Sequence, residues 1–329
     1  MEKFIVNFDK TGLSDVARVG MKIALLGEML NLNKNIPMPA GFALTMDSYS
    51  YYLQFNKLEE PLRLLMDNLT EDNLEATGLK ARQLLMTAKF PPKLENAIVD
   101  AYRNAFNNPM QEVAVRTSVS GLYSDDEFGG YDSHLNIKGN IALAYAVRCC
   151  FASVYSDRAI THRNQHGLPH DIAVAIGIQQ MVRSDLAGSG IAQIDAVTHG
   201  PDATVTIQSV WGLGADKGEA IIPDEHTVNC GNDGTCTIAR KMLGDKSSIK
   251  VYNEPAAGIN TTTAKITPPE LRVKFVLDDS EALLLAQWAL TIREYFKNLV
   301  AVKWAKDGIS NKLYIIGIGL QTTNIHTSC

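Results

Sequence analysis

An α+β fold in two lobes is what this sequence predicts, helix-rich over residues 1–110 and β-rich over 111–329. Three observations predict it. Apolar residues recur at helical spacing through most of the first hundred residues, around one short strand candidate at 41–44. From Ile172 to Ile315 short β-branched and aromatic runs dominate instead, interrupted by one strongly patterned helix. Helices and strands are segregated rather than alternating, which disfavours a doubly wound dinucleotide fold.

Taken in order, 15–32 reads as a helix that the Pro-x-Pro turn of 33–39 ends. Helices at 46–55, 58–69, 73–88 and 92–107 follow, with Asp and Asn caps and a Pro91–Pro92 start for the last. A strand at 112–116 leads into a polar, glycine-bearing loop at 117–130, and 140–166 reads as one long helix with Ala, Val and Phe on one face. Strands are expected at 174–182, 190–194, 203–210, 226–229, 235–241, 249–252, 299–304 and 313–316. The helix at 280–298 is capped by Asp278–Asp279.

With 46% hydrophobic and 20% charged residues, the composition is that of an ordinary globular protein. A net charge of −5 gives no general attraction to nucleic acid or to an anionic membrane. No apolar run reaches the length of a membrane helix, and MEKFIVNFDKTG lacks the order of a signal peptide, so neither partner is expected and the cytoplasm is the default location. Five cysteines with no CxxC pair argue against a disulfide framework. Cys149 and Cys150 read as small buried thiols in a helix, and Cys230 and Cys236 flank a turn-rich GNDGT that reads as a hairpin rather than a metal site.

Several side chains suit phosphate chemistry. Gly20 and Ala24 permit close approach to a helix that carries Lys22. Arg116 leaves a strand end, where a guanidinium forks onto phosphate oxygens, and the Thr117 and Ser118 hydroxyls add donors. His162, His166 and His170 recur every four residues, but Gly167 and Pro169 interrupt the helix, and structural histidines are favoured over a metal face.

These segments resemble the ATP-binding domain of the phosphoenolpyruvate synthase (pyruvate, water dikinase) family. Residues 19–29, VGMKIALLGEM, resemble its VGGKNASLGEM, and IPMPAGFALT at 36–45 resembles IPVPPGFAVT. VAVRTS at 113–118 is similar to AVRSSA, and Tyr155–Ile160 with Arg163 to YTDRAISYR. IQQMVRSDLAGSG at 178–190 is similar to VQRMVRSDLASSG, WGLG at 211–214 to WGLGE, and PDE at 223–225 to PDE. The hairpin at 302–322, VKWAKDG…KLYIIGIGLQT, resembles IEWAKDG…KLFIVQARPET.

The resemblance implies a two-lobed ATP-grasp domain that binds ATP and Mg²⁺ between its lobes. It assigns phosphate contact to Lys22, Arg116 and Thr117, adenine reading to the strand carrying Gln179, Met181 and Val182, and a phosphate-side turn to Gly212 and Gly214. In the family the nucleotide phosphorylates a histidine on a swivelling domain, which serves a PEP/pyruvate barrel; both are expected to lie outside this chain, so a separate chain carrying them is an expected partner. His326 lies too near the chain end to belong to such a domain. A related phosphotransferase acting on an antibiotic or another acceptor is an alternative for which no acceptor segment is visible.

The departures are local. Met21 and Ile23 replace Gly and Asn, Gly121-Leu122-Tyr123 replaces Ala-Glu-Asp ahead of Phe128-Gly129-Gly130, and Ala215 replaces Glu. At the hairpin the family's Glu, Gln and Arg are Lys303, Gly317 and Gly319. An ammonium and two absent side chains disfavour Mg²⁺ there, because carboxylate and amide oxygens hold that ion. The expectation is therefore a nucleotide-binding domain unable to complete phosphoryl transfer alone, or a noncatalytic interaction module.

Overall fold

The computed structural model describes residues 3–32, 35–119, 131, 133–194, 203–214, 221–231, 233–257, 260–298 and 300–320. The chain divides into two compact units. Met1–Leu32, Ala40–Met181 and Pro255–Thr261 form the first, and Asn33–Pro39, Val182–Glu254 and Thr262–Cys329 the second. The first unit takes in most of the stretch to residue 110, without Asn33–Pro39, and continues to Met181.

In the first unit a β-strand, β1 (Ile5–Asn7), precedes helix α1 (Val16–Asn31) and strand β2 (Gly41–Leu44). Helices α2 (Met46–Phe55), α3 (Glu59–Asp67), α4 (Leu74–Thr87) and α5 (Pro92–Phe106) follow at the expected places. Then come β3 (Val113–Val119), β4 (Ser133–Ile137), α6 (Gly139–Ser153), α7 (Asp157–Gln165) and β5 (Val174–Gln180). The sheet runs β1-β2-β5-β3-β4, antiparallel throughout. Strand alternation sends Val113 and Val115 with Val174, Ile176 and Ile178 into one apolar core beneath α2, α4, α5 and α6. The opposite face meets α1, where Ile23 lies over Gly177.

Two expectations change here. The single helix at 140–166 is two helices, because the chain turns at Val154–Ser156 and the Ser156 hydroxyl caps α7 by accepting the Ala159 N–H at 3.3 Å. The strand expected to end at Arg116 continues to Val119, so Thr117 and Ser118 lie in the sheet rather than in a loop. The rest of the expected loop, including Gly121-Leu122-Tyr123 and Phe128-Gly129-Gly130, falls outside the described residues, as do Ala215 and His326.

The second unit is built on six antiparallel strands in the order β13-β12-β6-β7-β8-β9. They are β6 (Gly188–Ile194), β7 (Ala203–Trp211), β8 (Asp224–Cys230), β9 (Cys236–Met242), β12 (Val300–Lys306) and β13 (Leu313–Leu320). A two-stranded ribbon, β10 (Ser248–Ala257) with β11 (Asn260–Ile266), and a one-turn helix α8 (Pro269–Arg272) precede helix α9 (Asp279–Phe296). Asp278 and Glu281 close a capping box on α9. Its buried Ala282, Leu285, Ala286, Ala289 and Ile292 cover the face of the sheet that carries Ala192, Val205, Ile207 and Val302.

The expected hairpin between Cys230 and Cys236 is present, and the two residues stand opposite each other in the ladder. They also form a disulfide, which corrects the reading of the cysteines as lacking one. The odd count concealed a pair that register, not spacing, defines. Cys150 is buried as expected, while Cys149 is only partly so.

At the start of β8, Asp224 and Lys246 are an ion pair with no exposed side-chain surface. Asp224 also accepts the N–H groups of Gly244 and Val276, each at 2.8 Å, and the Lys246 ammonium donates to the Gly244 carbonyl at 3.0 Å. One carboxylate thereby ties β8 to the 244–246 turn and to the chain entering α9. No helix of the described residues is long and apolar enough to cross a membrane.

Candidate nucleotide site

On the first unit the helix of residues 16–31 is not continuous. At Gly20 the backbone leaves the helical region (φ 75°, ψ 165°) and the helix resumes at Met21, so Lys22 lies in a first turn. Gly20 approaches β3 so closely that an added Cβ would stand 2.3 Å from Ser118 Oγ and 2.8 Å from the Val119 nitrogen. The unpartnered N–H groups of a helix start, with a lysine among them, favour an anion. Met21 does not have positive φ, so the loss of a glycine at 21 leaves the turn intact. Gly20→Ala is expected to lose about 1–3 kcal/mol in denaturant unfolding, from strain at positive φ and from overpacking against Ser118.

Arg116 and Ser118 share the face of β3 toward α1 with Gly177 and Gln179 of β5, by the register Arg116↔Gly177 and Ala114↔Gln179. Two buried polar atoms on this face, Ser118 Oγ and Gln179 Nε2, have no hydrogen-bond partner among the described residues. Orphaned buried donors and acceptors of this kind are uncommon in a closed core. Thr117 points the other way: its buried hydroxyl lies under α6, 3.5 Å from the Cys150 carbonyl. The structure therefore brings Arg116, Ser118 and Gln179 onto one face and leaves Thr117 on the other.

The segment expected to read adenine through its backbone is mostly committed. The Gln180 N–H donates to the Ala40 carbonyl (2.8 Å) and that of Met181 to Glu112 (2.9 Å). The Arg183 N–H donates to Asp307 Oδ2 (3.2 Å) and that of Ser184 to the Val182 carbonyl (2.7 Å). Of the N–H groups from 180 to 184, only that of Val182 has no acceptor within the described residues.

On the second unit, the sheet face away from α9 carries the departures seen in sequence. Lys303 of β12 stands opposite Gly317 of β13 and opposite Ile191 of β6, and Gly319 follows two residues on. The Lys303 stem lies along Gly317, its Cδ 3.5 Å and its Cβ 3.6 Å from where a Cβ on that glycine would be. The glycine turn reaches the same face, since Ser189 Oγ donates to the Gly212 carbonyl at 2.8 Å and stands 3.7 Å from a Cβ built on Gly214. Lys303, Gly317, Gly319, Gly212 and Gly214 thus belong to one surface of one sheet.

Two of the sequence motifs interlock at its end. Gly308 of the Lys-Asp-Gly turn donates its N–H to the Arg183 carbonyl (3.1 Å), and a side chain there would collide with Leu186, whose Cβ lies 2.4 Å from the built position. Arg183 holds Asp185 through two 2.9 Å bonds and stacks on Tyr252. Burial pushes the Asp307 carboxyl up, but N–H donors from Ser310, Arg183 and Ile309 and the Ser310 hydroxyl outweigh it and hold the group below its ordinary range. A depressed folded pKa stabilises above the unfolded value and loses that contribution as pH falls through the folded one. The stability gap between the protein and Asp307→Asn is expected to be widest above about pH 4 and to narrow below it, as thermal melts across pH would record.

The hairpin positions do not fit Mg²⁺: they offer an ammonium and two glycines where hard oxygen ligands are needed. Among the described residues no group of three or more His, Cys, Asp or Glu side chains is arranged to hold a metal ion. His170 lies beyond the end of α7, where its ring nitrogens meet Arg163 and Asn164, while the His162 and His166 rings lie tilted against each other with centroids 4.3 Å apart.

Two antiparallel sheets with helices packed on them define an α+β, two-lobed ATP-grasp-like domain. Comparison with known proteins agrees. Residues 16–327 match the profile described as pyruvate phosphate dikinase, AMP/ATP-binding domain, and the chain belongs to that family. It is similar to the phosphoenolpyruvate synthase of Aquifex aeolicus (strain VF5), 34% identical over 340 residues that cover 96% of this chain and 39% of the relative. The synthase of Synechocystis sp. is 34% identical over 98% of this chain and 42% of its own length, and that of Escherichia coli (strain K12) 34% over 94% and 40%. The chain thus spans about two fifths of the length of these curated relatives.

Proposed function

We propose that this chain is a nucleotide-binding domain that holds ATP without sustaining the phosphoryl transfer of its family. Family membership and the helix restart at Gly20, with Lys22 in its first turn, support the binding. The observation that carries the second half is the sheet face of Lys303, Gly317 and Gly319. Phosphoryl transfer depends on cations that bridge and neutralise the phosphates, and on groups aimed at the developing charge. Lys303 supplies one positive charge there and no metal ligand. Loss of one such contact typically costs about a hundredfold in rate, and three are changed together.

Under this reading the complete reaction, phosphorylation of a carrier histidine and then pyruvate to phosphoenolpyruvate, needs a carrier and an acceptor site supplied by another segment or another chain. The same three positions also favour a second reading, a noncatalytic interaction module. Incubation with ATP and Mg²⁺ separates the possibilities. No AMP above background, together with a thermal shift by ATP, is the expected result; AMP release at family-like rates overturns it, and no shift by ATP leaves only the interaction module.

A further inference from the structure

The first unit contains a second feature that the nucleotide reading does not use. A cavity of about 1050 Å³ lies between α2, α3 and the segment 170–173 that leads into β5. Its deep end carries Tyr49 and Tyr155, and Leu53, Leu62, Met66 and Ile172 form apolar walls. Arg163, 2% exposed and permanently charged, does not line the cavity but lies close enough to both phenols for its charge to act on them. Its Nη2 donates to the Val154 carbonyl (2.6 Å) and its Nε to His170 Nδ1 (3.2 Å), but among the described residues Nη1 has no partner and no carboxylate forms an ion pair with the side chain. The Tyr49 hydroxyl, itself on the cavity wall and buried, has the Tyr155 hydroxyl as its neighbour and no other acceptor or donor among the described residues. A buried cation without a counter-ion is costly, and a bound anion relieves that cost.

The chemistry at the deep end is specific. Burial raises the Tyr49 and Tyr155 hydroxyls above their ordinary range, so both remain proton donors. His170 is a neutral acceptor toward Arg163 through Nδ1, its Nε2 facing Asn164 Oδ1 at 2.9 Å, and burial followed by the Arg163 charge lowers its pKa. The rim is different: Glu59, Glu60, Asp67 and Asp171 outnumber Lys57 and Arg63, and Arg63 is bound to Glu60 and Asp67. One deep positive charge under an acidic rim suits a single negative charge and repels a multivalent phosphate.

We propose that this cavity binds a small monocarboxylate with an apolar body, its carboxylate on the Tyr49 and Tyr155 hydroxyls over Arg163 and its body against Leu53, Leu62, Met66 and Ile172. The test is calorimetry on the full chain with phenylacetate and hexanoate as probes, and phenylacetamide and inorganic phosphate as controls. Saturable binding of either carboxylate is expected, with phenylacetamide and the Tyr155→Phe variant each weaker by about tenfold, the loss of one charge-assisted hydrogen bond. Leu53→Trp, at a half-buried wall position, fills the cavity and is expected to abolish binding while leaving the melting temperature of the unliganded protein nearly unchanged. Absence of carboxylate binding at about 10 mM, the weak end of specific recognition, overturns the proposal. So does equal affinity for phenylacetamide, tighter binding of phosphate, or binding that survives Leu53→Trp.

Discussion

Lys246→Met is expected to destabilise the second unit by about 3–5 kcal/mol, the cost of leaving a buried carboxylate without its counter-charge. Asp224 and Lys246 have no exposed side-chain surface, and Asp224 additionally accepts two backbone N–H groups that join three separated segments. The side chain of Met fills the space of the lysine stem but cannot neutralise the carboxylate or donate to the Gly244 carbonyl. Urea unfolding followed by tryptophan fluorescence reads this unit alone, since Trp211, Trp288 and Trp304 all lie in it. Asp224→Asn combined with Lys246→Met should be more stable than Lys246→Met by itself, because Asn still accepts a hydrogen bond and carries no charge. A loss below about 1 kcal/mol for Lys246→Met would mean that water reaches the pair, as for an exposed salt bridge.

The second large effect is a gain. Lys303→Glu, Gly317→Gln and Gly319→Arg together are expected to raise Mg²⁺-dependent phosphate release from ATP by about a hundredfold or more. The backbone is ready for these side chains. A Cβ at Gly317 meets only the Lys303 stem at ordinary contact distance, and one at Gly319 has nothing nearer than the Ala301 carbonyl at 4.0 Å. Because the three positions share one face, with 303 directly opposite 317, the restored carboxylate and amide would converge on one ion. Lys303→Glu alone should give a small fraction of the gain, since groups acting on one transition state are not additive. A folded triple variant with no increase would place the defect elsewhere, at Met21 or Ile23.

Much of the fold was legible because its signals are local. Proline placement fixed the start of α5, and Asp278 fixed the start of α9. What was missed depends on contacts between distant segments. The break at Val154–Ser156 has no glycine or proline to announce it, and only the Ser156 cap marks the new helix. Strand β4, SHLNI, has too little apolar alternation to stand out. At the candidate site, Lys22, Arg116, Gln179 and the three hairpin positions were named from sequence. Thr117 was named too, but one further residue of strand carries its side chain to the opposite face. Ser118 was noted only as a neighbouring hydroxyl, yet it lies on the Arg116 face against Gly20. The Asp224–Lys246 pair and the Gly308–Leu186 contact were invisible, because nothing in a sequence states which lysine is buried or which glycine meets a neighbour 122 residues earlier in the chain.

The most direct measurement is calorimetric titration of the purified chain with ATP, in the presence and absence of Mg²⁺. The account predicts saturable binding of ATP in both conditions with similar affinity, because Lys22 and Arg116 of the first unit supply positive charge, while positions 303, 317 and 319 supply no metal ligand. Binding that requires Mg²⁺, or no heat of binding in either condition, would contradict it.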